Sequence, residues 1–558
     1  MRIRLVIVVT AALCSWSLIA MGADGILSVR TVDPLVKVFR DIEPSGPEHS
    51  EEHVARGETA TFQTVFKITE PADRFSCAVS PWIHEDGTPL TASSRLRYVG
   101  FLNVDRPTQK PSQDQLRKPP ADYPDILFER EDIPLSAHLW QPIWITTEVP
   151  LDAPAGTYSA VITLQVWQGK DIETVTLPIT LIVYPVTLDC TRLWVTNWFG
   201  MHARHMDIQP ESGSEEYYAL LRRYARNMAE HRQNVALISP LSLTVYSLDD
   251  QGEIQFDFSD FDRWVSIFIE EGVIGRIEGG HIGGRKGDWN SQFAATIRSV
   301  KDGKIVAERV DPNSDEARNF YSRFLPALTA HLKERGWLDC YMQHLADEPT
   351  ELNMGSYKDL AQLVRDYGPE LKTVEANHNK DLVGAIDIWV PQLNYYHDSY
   401  DHYLERQAAG DEVWFYTCVF PQGEYANRFI EQPLMKTRLL HWINFVYGAT
   451  GYLHWGYNRW YAESPYTHAT PAHAGPPYLP AGDAWIVYPG HDGPLDSIRW
   501  EAMRDGVADH ELLCRLAEAA PEKAKELATK HILDFDKYNT DVEAFRATRI
   551  ELLKALCE

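Results

Sequence analysis

The sequence predicts a multidomain protein of mixed β and α/β class. An N-terminal β-sandwich spans 24–190, a (β/α)8 TIM-like barrel 191–515 and a helical C-terminal extension 516–558. Three observations predict it. Short β-rich runs separated by Pro- and Gly-containing turns fill the chain up to about residue 190. Beyond that point, apolar strand segments alternate with segments of helical spacing. The region 498–557 is helical in pattern and rich in charge and Ala. A length of 558 residues accommodates one large barrel with an accessory module.

In chain order, Arg2 and Arg4 precede the apolar run Leu5–Leu13, and small residues follow at Ala20, Gly22 and Ala23. This is the layout of a cleaved export signal over 1–23, which places the mature protein outside the cytoplasm, secreted or periplasmic. No later stretch has the apolar length needed to span a bilayer, so no stable membrane insertion is expected. Sandwich strands are expected within Thr59–Phe66, Leu139–Val149, Tyr158–Val166 and Val175–Tyr184, with a long polar loop over 105–125. Barrel strands are expected near 195, 236, 275, 342, 374, 388, 415 and 453. The helices between them are expected over 215–231, 261–271, 317–335, 354–367 and 434–447, with the largest insertion between 282 and 312.

The 53 Lys and Arg against 79 Asp and Glu give a formal charge of −26, which excludes a polyanion such as nucleic acid as partner. The cysteines left after the signal, Cys77, Cys190, Cys340, Cys418, Cys514 and Cys557, show no metal-binding spacing; buried free thiols are expected, with an isolated disulfide as the alternative. The 17 Trp and 26 Tyr serve mainly as core, but flat rings also stack on sugar faces. No phosphate-cradling Gly-rich motif is present, and no cofactor is expected.

In a barrel of this kind, chemistry sits where strands end. The residues just past the strands are Asn197 and Trp198, Glu278 and His281, His344 with Asp347 and Glu348, Asn394 with Tyr395 and Tyr396, Glu424, and Trp455 with Asn458 and Trp460. This polar, aromatic mouth resembles a sugar site. The sharpest feature is Ala346-Asp347-Glu348-Pro349 at the end of the fourth strand. Two carboxylates in a partly dry site repel each other, so one pKa rises, as a general acid requires. Adjacent carboxylates do not straddle a scissile bond as an ordinary acid and nucleophile do. They can act together from one side if the substrate brings its own nucleophile, as the carbonyl oxygen of a 2-acetamido sugar does. Asp347 then orients the amide and Glu348 is the acid/base. A conventional retaining glycosidase using Glu348 and Glu424, and a non-catalytic glycan-binding protein, are the competing readings.

These residues, with the sandwich turn Val149–Tyr158, the segment Trp455–Trp460, and Gly482–Gly490 and Ser497–Gly506, make the chain resemble glycoside hydrolase family 123. The resemblance implies an exo-acting β-N-acetylgalactosaminidase of substrate-assisted, retaining mechanism, with Asp347 orienting the acetamide and Glu348 as acid/base. Its substrate would be a β-linked 2-acetamido sugar of a glycan or glycolipid. Of the remaining candidates, Trp455 is expected as the floor under the sugar ring, and Tyr395 or Tyr396 as donor to the acetamide carbonyl. Asn197, Trp198, His281, Asn394 and Asn458 are further substrate-binding candidates. His281 and His344 alone do not make a metal set. Arg499, Arg504 and Asp505 read as an ion-pair cluster between the last helix and the barrel.

Overall fold

A computed structural model describes residues 25–129, 135–473 and 477–558, with the backbone of the pairs 4–5 and 20–21. The expected export signal lies outside the described residues apart from those two pairs. No described helix is long and apolar enough to cross a membrane.

The N-terminal region is two packed sheets. One is built on the hairpin Gly156–Gln168 and Asp171–Thr187, flanked by Arg74–Val79 and Glu51–Arg56. The other runs Leu27–Val32, Thr59–Ile68, Trp140–Glu148, Ser94–Val104, Ala121–Phe128. Phe62, Phe66, Trp82, Ile143, Ile162 and Leu164 fill the space between them. Gly156–Gln168 alternates buried and exposed residues because one face meets solvent, whereas Thr59–Ile68 is buried on both faces. The second face of that strand meets the C-terminal helices, as Arg504 donating to Thr61 Oγ1 shows.

The α/β region has eight parallel strands at the expected places: β1 (Trp194–Asn197), β2 (Val235–Leu237), β3 (Arg276–Gly279), β4 (Tyr341–His344), β5 (Lys372–Asn377), β6 (Ile388–Pro391), β7 (Glu412–Val413 and Phe415–Tyr416) and β8 (Gly451–His454). Pairing runs β2-β3-β4-β5-β6-β7 through the first half of β7, and β7-β8-β1 through its second half. Between β1 and β2 no ladder is formed among the described residues, so the expected closed barrel is not met. Asn234 spans this seam, its side-chain oxygen accepting from Val195 N at 2.9 Å. Nearly every strand residue is buried, as parallel strands covered by helices require.

The covering helices include α1 (Glu215–Glu230), α2 (Ser259–Glu270), α3 (Asp315–Arg335), α4 (Met354–Tyr367) and α5 (Leu434–Tyr447). Their ends follow local chemistry. Ser314 caps α3 by accepting from Ala317 N, and Gly336 ends it in the left-handed conformation. The insertion after β3 is a three-stranded antiparallel sheet of Gly283–Arg285, Phe293–Lys301 and Lys304–Val310. The C-terminal helices α6 (Ile498–Ala519), α7 (Pro521–Thr529) and α8 (Val542–Ala555) are no loose appendage. Helix α6 is buried along most of its length, and Arg546 and Arg549 of α8 reach Asp33 and Glu58 of the sandwich. Arg499 also differs from expectation, because it ties α6 to Asp125 of the sandwich.

Candidate active site

Strand β4 is pinned at its end by Glu375 of β5, whose Oε2 accepts from the Leu345 and Ala346 N–H groups at 2.9 Å each. The chain then leaves the ladder, and Glu348 takes φ +45°, a left-handed conformation costly for a non-glycine residue. That turn breaks the strand's up–down alternation and lets both Asp347 and Glu348 line one cavity of about 400 Å³. Arg285 of the insertion secures the turn by donating to Glu348 O at 2.8 Å.

Glu348 Oε1 accepts from the Tyr416 hydroxyl of β7 and lies 3.2 Å from His378 Nε2, just past β5. His378 Nε2 is itself 2.6 Å from the Tyr416 oxygen. Burial raises the Glu348 pKa, but His378, Tyr416 and Arg285 outweigh it and hold the carboxyl below its ordinary range. Burial, then the Glu348 charge, push Asp347 up to about 6, partly offset by His281 and Arg285. The expected partition, with Glu348 protonated and Asp347 ionised, is thus reversed in this structure. The pair still holds one proton between two carboxylates over the same pH range.

Beneath the pair lies a buried relay. His344 Nε2 meets Glu278 Oε1 at 2.6 Å, and its Nδ1 meets Glu375 Oε1 at 2.8 Å. Glu375 Oε1 also meets His281 Nε2 at 3.1 Å, and Glu278 accepts from the Trp198 indole at 2.7 Å. Burial disfavours the charge on His344, yet the two carboxylates lift its pKa to about 10; the two histidines in turn hold Glu375 down at about 2. His281, His344 and Glu375 cluster closely enough to suggest a metal. Both His344 nitrogens already face carboxylate oxygens, Nε2 toward Glu278 and Nδ1 toward Glu375.

Trp198 and Trp455 line the cavity, the latter fixed by Asp483, which accepts from its indole at 3.3 Å. Asn458 lines it too, but its amide is spent on the Gly200 backbone. Other candidates are corrected. Asn197 is fully buried and binds Arg428 and Gln233. The Tyr396 hydroxyl is spent on Tyr447 O at 2.7 Å in the core, and Trp460 is likewise buried, donating to Val487 O. His281, Asn394 and Tyr395 stay off the cavity wall: His281 faces Glu375, Asn394 accepts from Gln392, and the Tyr395 ring packs on His378. Glu424 is held by Ser112 and Gln113 of the long loop, which removes it as a nucleophile facing Glu348. Residues not anticipated are Tyr416, His378, Glu375, Arg285, Trp289, His202 and Arg459. His378 follows β5 directly, where the strand-end rule would have found it; Tyr416 sits inside an apolar run and reads as core.

A larger cleft of about 1280 Å³ opens at the other end of the strands, against the sandwich. Its buried Glu501 is matched by Arg97 and Arg504.

The family model for the glycoside hydrolase 123 catalytic domain matches residues 198–516. The chain belongs to glycoside hydrolase family 123. Among solved structures, a family 123 glycoside hydrolase from Clostridium perfringens, described in terms of glycolipid glycan hydrolysis, superposes with a TM-score of 0.71 at 18% identity. The match covers 95% of this chain and 96% of that one, so the family 123 fold extends through the sandwich. A β-glucuronidase from Parabacteroides merdae has a TM-score of only 0.29 at 10% identity, covering 84% of this chain and 51% of that one. No curated protein sequence matches the chain. As a family 123 member the protein is a glycosidase, and its substrate is a carbohydrate.

Proposed function

We propose that this glycosidase is an exported, exo-acting β-N-acetylgalactosaminidase that uses the acetamide of its substrate as nucleophile. One observation carries the reading. Asp347 and Glu348 are the only carboxylates among the described residues lining the tryptophan-walled cavity, and they sit side by side. With no acid opposite Glu348, the nucleophile comes from the substrate. The acetamide carbonyl oxygen attacks C1 as the C1–O bond breaks, and Glu348 gives its proton to the departing oxygen. The resulting oxazolinium is opened at C1 by water, whose proton returns to Glu348, so configuration is retained. The amide N–H donates to Asp347, which favours its anion and shifts the shared proton onto Glu348; this reconciles the observed partition with the chemistry. Tyr416, which lines the cavity and donates to Glu348, is read as the phenol that steadies the acid/base, and Tyr395 and Tyr396 are given no role at the acetamide.

The galactosamine preference and a glycan or glycolipid substrate rest on the family resemblance and on the work described for the Clostridium protein. Export rests on the charged and apolar N-terminus. The eight strands are read as a (β/α)8 barrel whose open seam Asn234 bridges. Aryl β-GalNAc and β-GlcNAc glycosides test the reading. Wild type should favour the former, and Glu348→Gln and Asp347→Asn should each lower kcat by roughly 100- to 10,000-fold. Undiminished turnover in both variants would remove it.

A further inference from the structure

We propose that Trp289 forms a leaving-group subsite, stacking the hexose on the far side of the scissile bond from the acetamido sugar. The inference rests on the glycosidase reading and adds a binding residue from outside the eight strands. Trp289 belongs to the insertion after β3, yet it lines the same cavity as Glu348. Its indole is 49% exposed, although large aromatic surface is costly to leave in water. It is also held in place. The Arg285 guanidinium lies 3.8 Å from the ring centroid, and Arg285 Nε donates to Trp289 O at 2.7 Å. Asn353 donates to the same oxygen at 3.2 Å. One face of the ring is therefore covered by a cation, while about half of the residue's surface stays exposed on the cavity wall.

The direction follows from Arg285, which also donates to Glu348 O. One side chain thus registers the indole against the residue that protonates the glycosidic oxygen. On the proposed function Trp455, just past β8, lies under the acetamido ring, so the surface tied to Glu348 is the one the departing group meets. A flat, rigid, uncharged platform suits the apolar face of a neutral hexose.

Two substrates separate this subsite from the chemistry: a β-GalNAc–hexose disaccharide, and the corresponding glycosyl fluoride, whose leaving group has no ring. In Trp289→Ala the ratio of kcat/KM for disaccharide over fluoride should fall about 10- to 100-fold, as loss of an aromatic anchor does. Trp289→Phe should give a smaller fall. An unchanged ratio in both variants, whatever the absolute rates, would overturn the subsite, because it would make Trp289 a support for Glu348 alone. If wild type cleaves neither substrate, the function reading fails, a result distinct from an unchanged ratio.

Discussion

The contact between sandwich and α/β region and the mouth above the strands are both dense in buried charge, and they treat it in opposite ways. At the contact each buried acid has its cation. Arg499 grips Asp125 with two bonds of 2.9 Å, and Arg97 reaches Asp496 and Glu501 at 2.5 and 2.6 Å. Arg546 holds Asp33, and Arg549 holds Asp509. Burial there pushes carboxyl pKa values up, but neighbouring cations win, Arg546 and His49 at Asp33, His231 and Arg97 at Asp496, and Arg438 and Arg549 at Asp509, and all three stay below their ordinary values. At the mouth, two carboxylates neighbour each other, and Arg285 is spent on a backbone oxygen rather than on either. Asp347 accordingly moves the other way, up to about 6. Burial alone does not set Asp347 apart; burial beside a like charge, with no ion pair of its own among the described residues, does.

The largest effect that would sharpen this contrast is at the contact. Arg499→Met leaves Asp125 buried and unpaired and should cost about 3–5 kcal/mol in chemical denaturation. Adding Asp125→Leu should recover part of that loss. A loss below 1 kcal/mol for the single variant would mean that the contact does not depend on charge matching.

The mouth should respond in the opposite sense. The folded-state pKa of Asp347 lies above its ordinary value, so folding is disfavoured as pH rises through about 6 and the group ionises. Asp347→Asn should therefore stabilise the protein at pH 7, by on the order of 2 kcal/mol. The gain should fade as pH drops from 6 toward 4, where wild-type Asp347 is protonated. Activity should follow the same proton. The singly protonated pair is the working form, so kcat/KM should fall as pH rises above about 6, and a profile flat from pH 5 to 9 would contradict the shared proton. The smallest effect concerns a rejected candidate. Tyr396→Phe should cost about 1 kcal/mol of stability, through its lost bond to Tyr447 O, and leave kcat unchanged.

Much of the architecture was legible because strand and helix periods differ. All eight parallel strands fall where short apolar runs predict them, and α4 and α5 match their expected ends. The open seam was not legible, because Asn234 meets Val195 there through both its side chain and its backbone N–H instead of through a ladder, and an apolar-run pattern does not show that. Nor was the role of the C-terminal helices, whose charged residues look solvated until their sandwich partners are known. At the site, Asp347 and Glu348 were readable from their position after β4, and Trp198 and Trp455 from theirs after β1 and β8. Asn197 and Tyr396 were misread because a polar group at a strand end can serve a neighbouring chain as well as a ligand. Tyr416 was missed for the converse reason: its apolar neighbours hide a hydroxyl that points into the cavity. Trp289 lies in an insertion with no periodicity to place it.

The central claim, that the substrate's own amide replaces an opposing carboxylate, is tested most directly by weakening that amide. Aryl β-GalNAc substrates bearing acetyl, monofluoroacetyl, difluoroacetyl and trifluoroacetyl groups keep the ring and the leaving group constant. The account predicts a steep, continuous fall in kcat along the series as the carbonyl oxygen loses nucleophilicity. Rates independent of fluorination would contradict it and require a nucleophile from the protein.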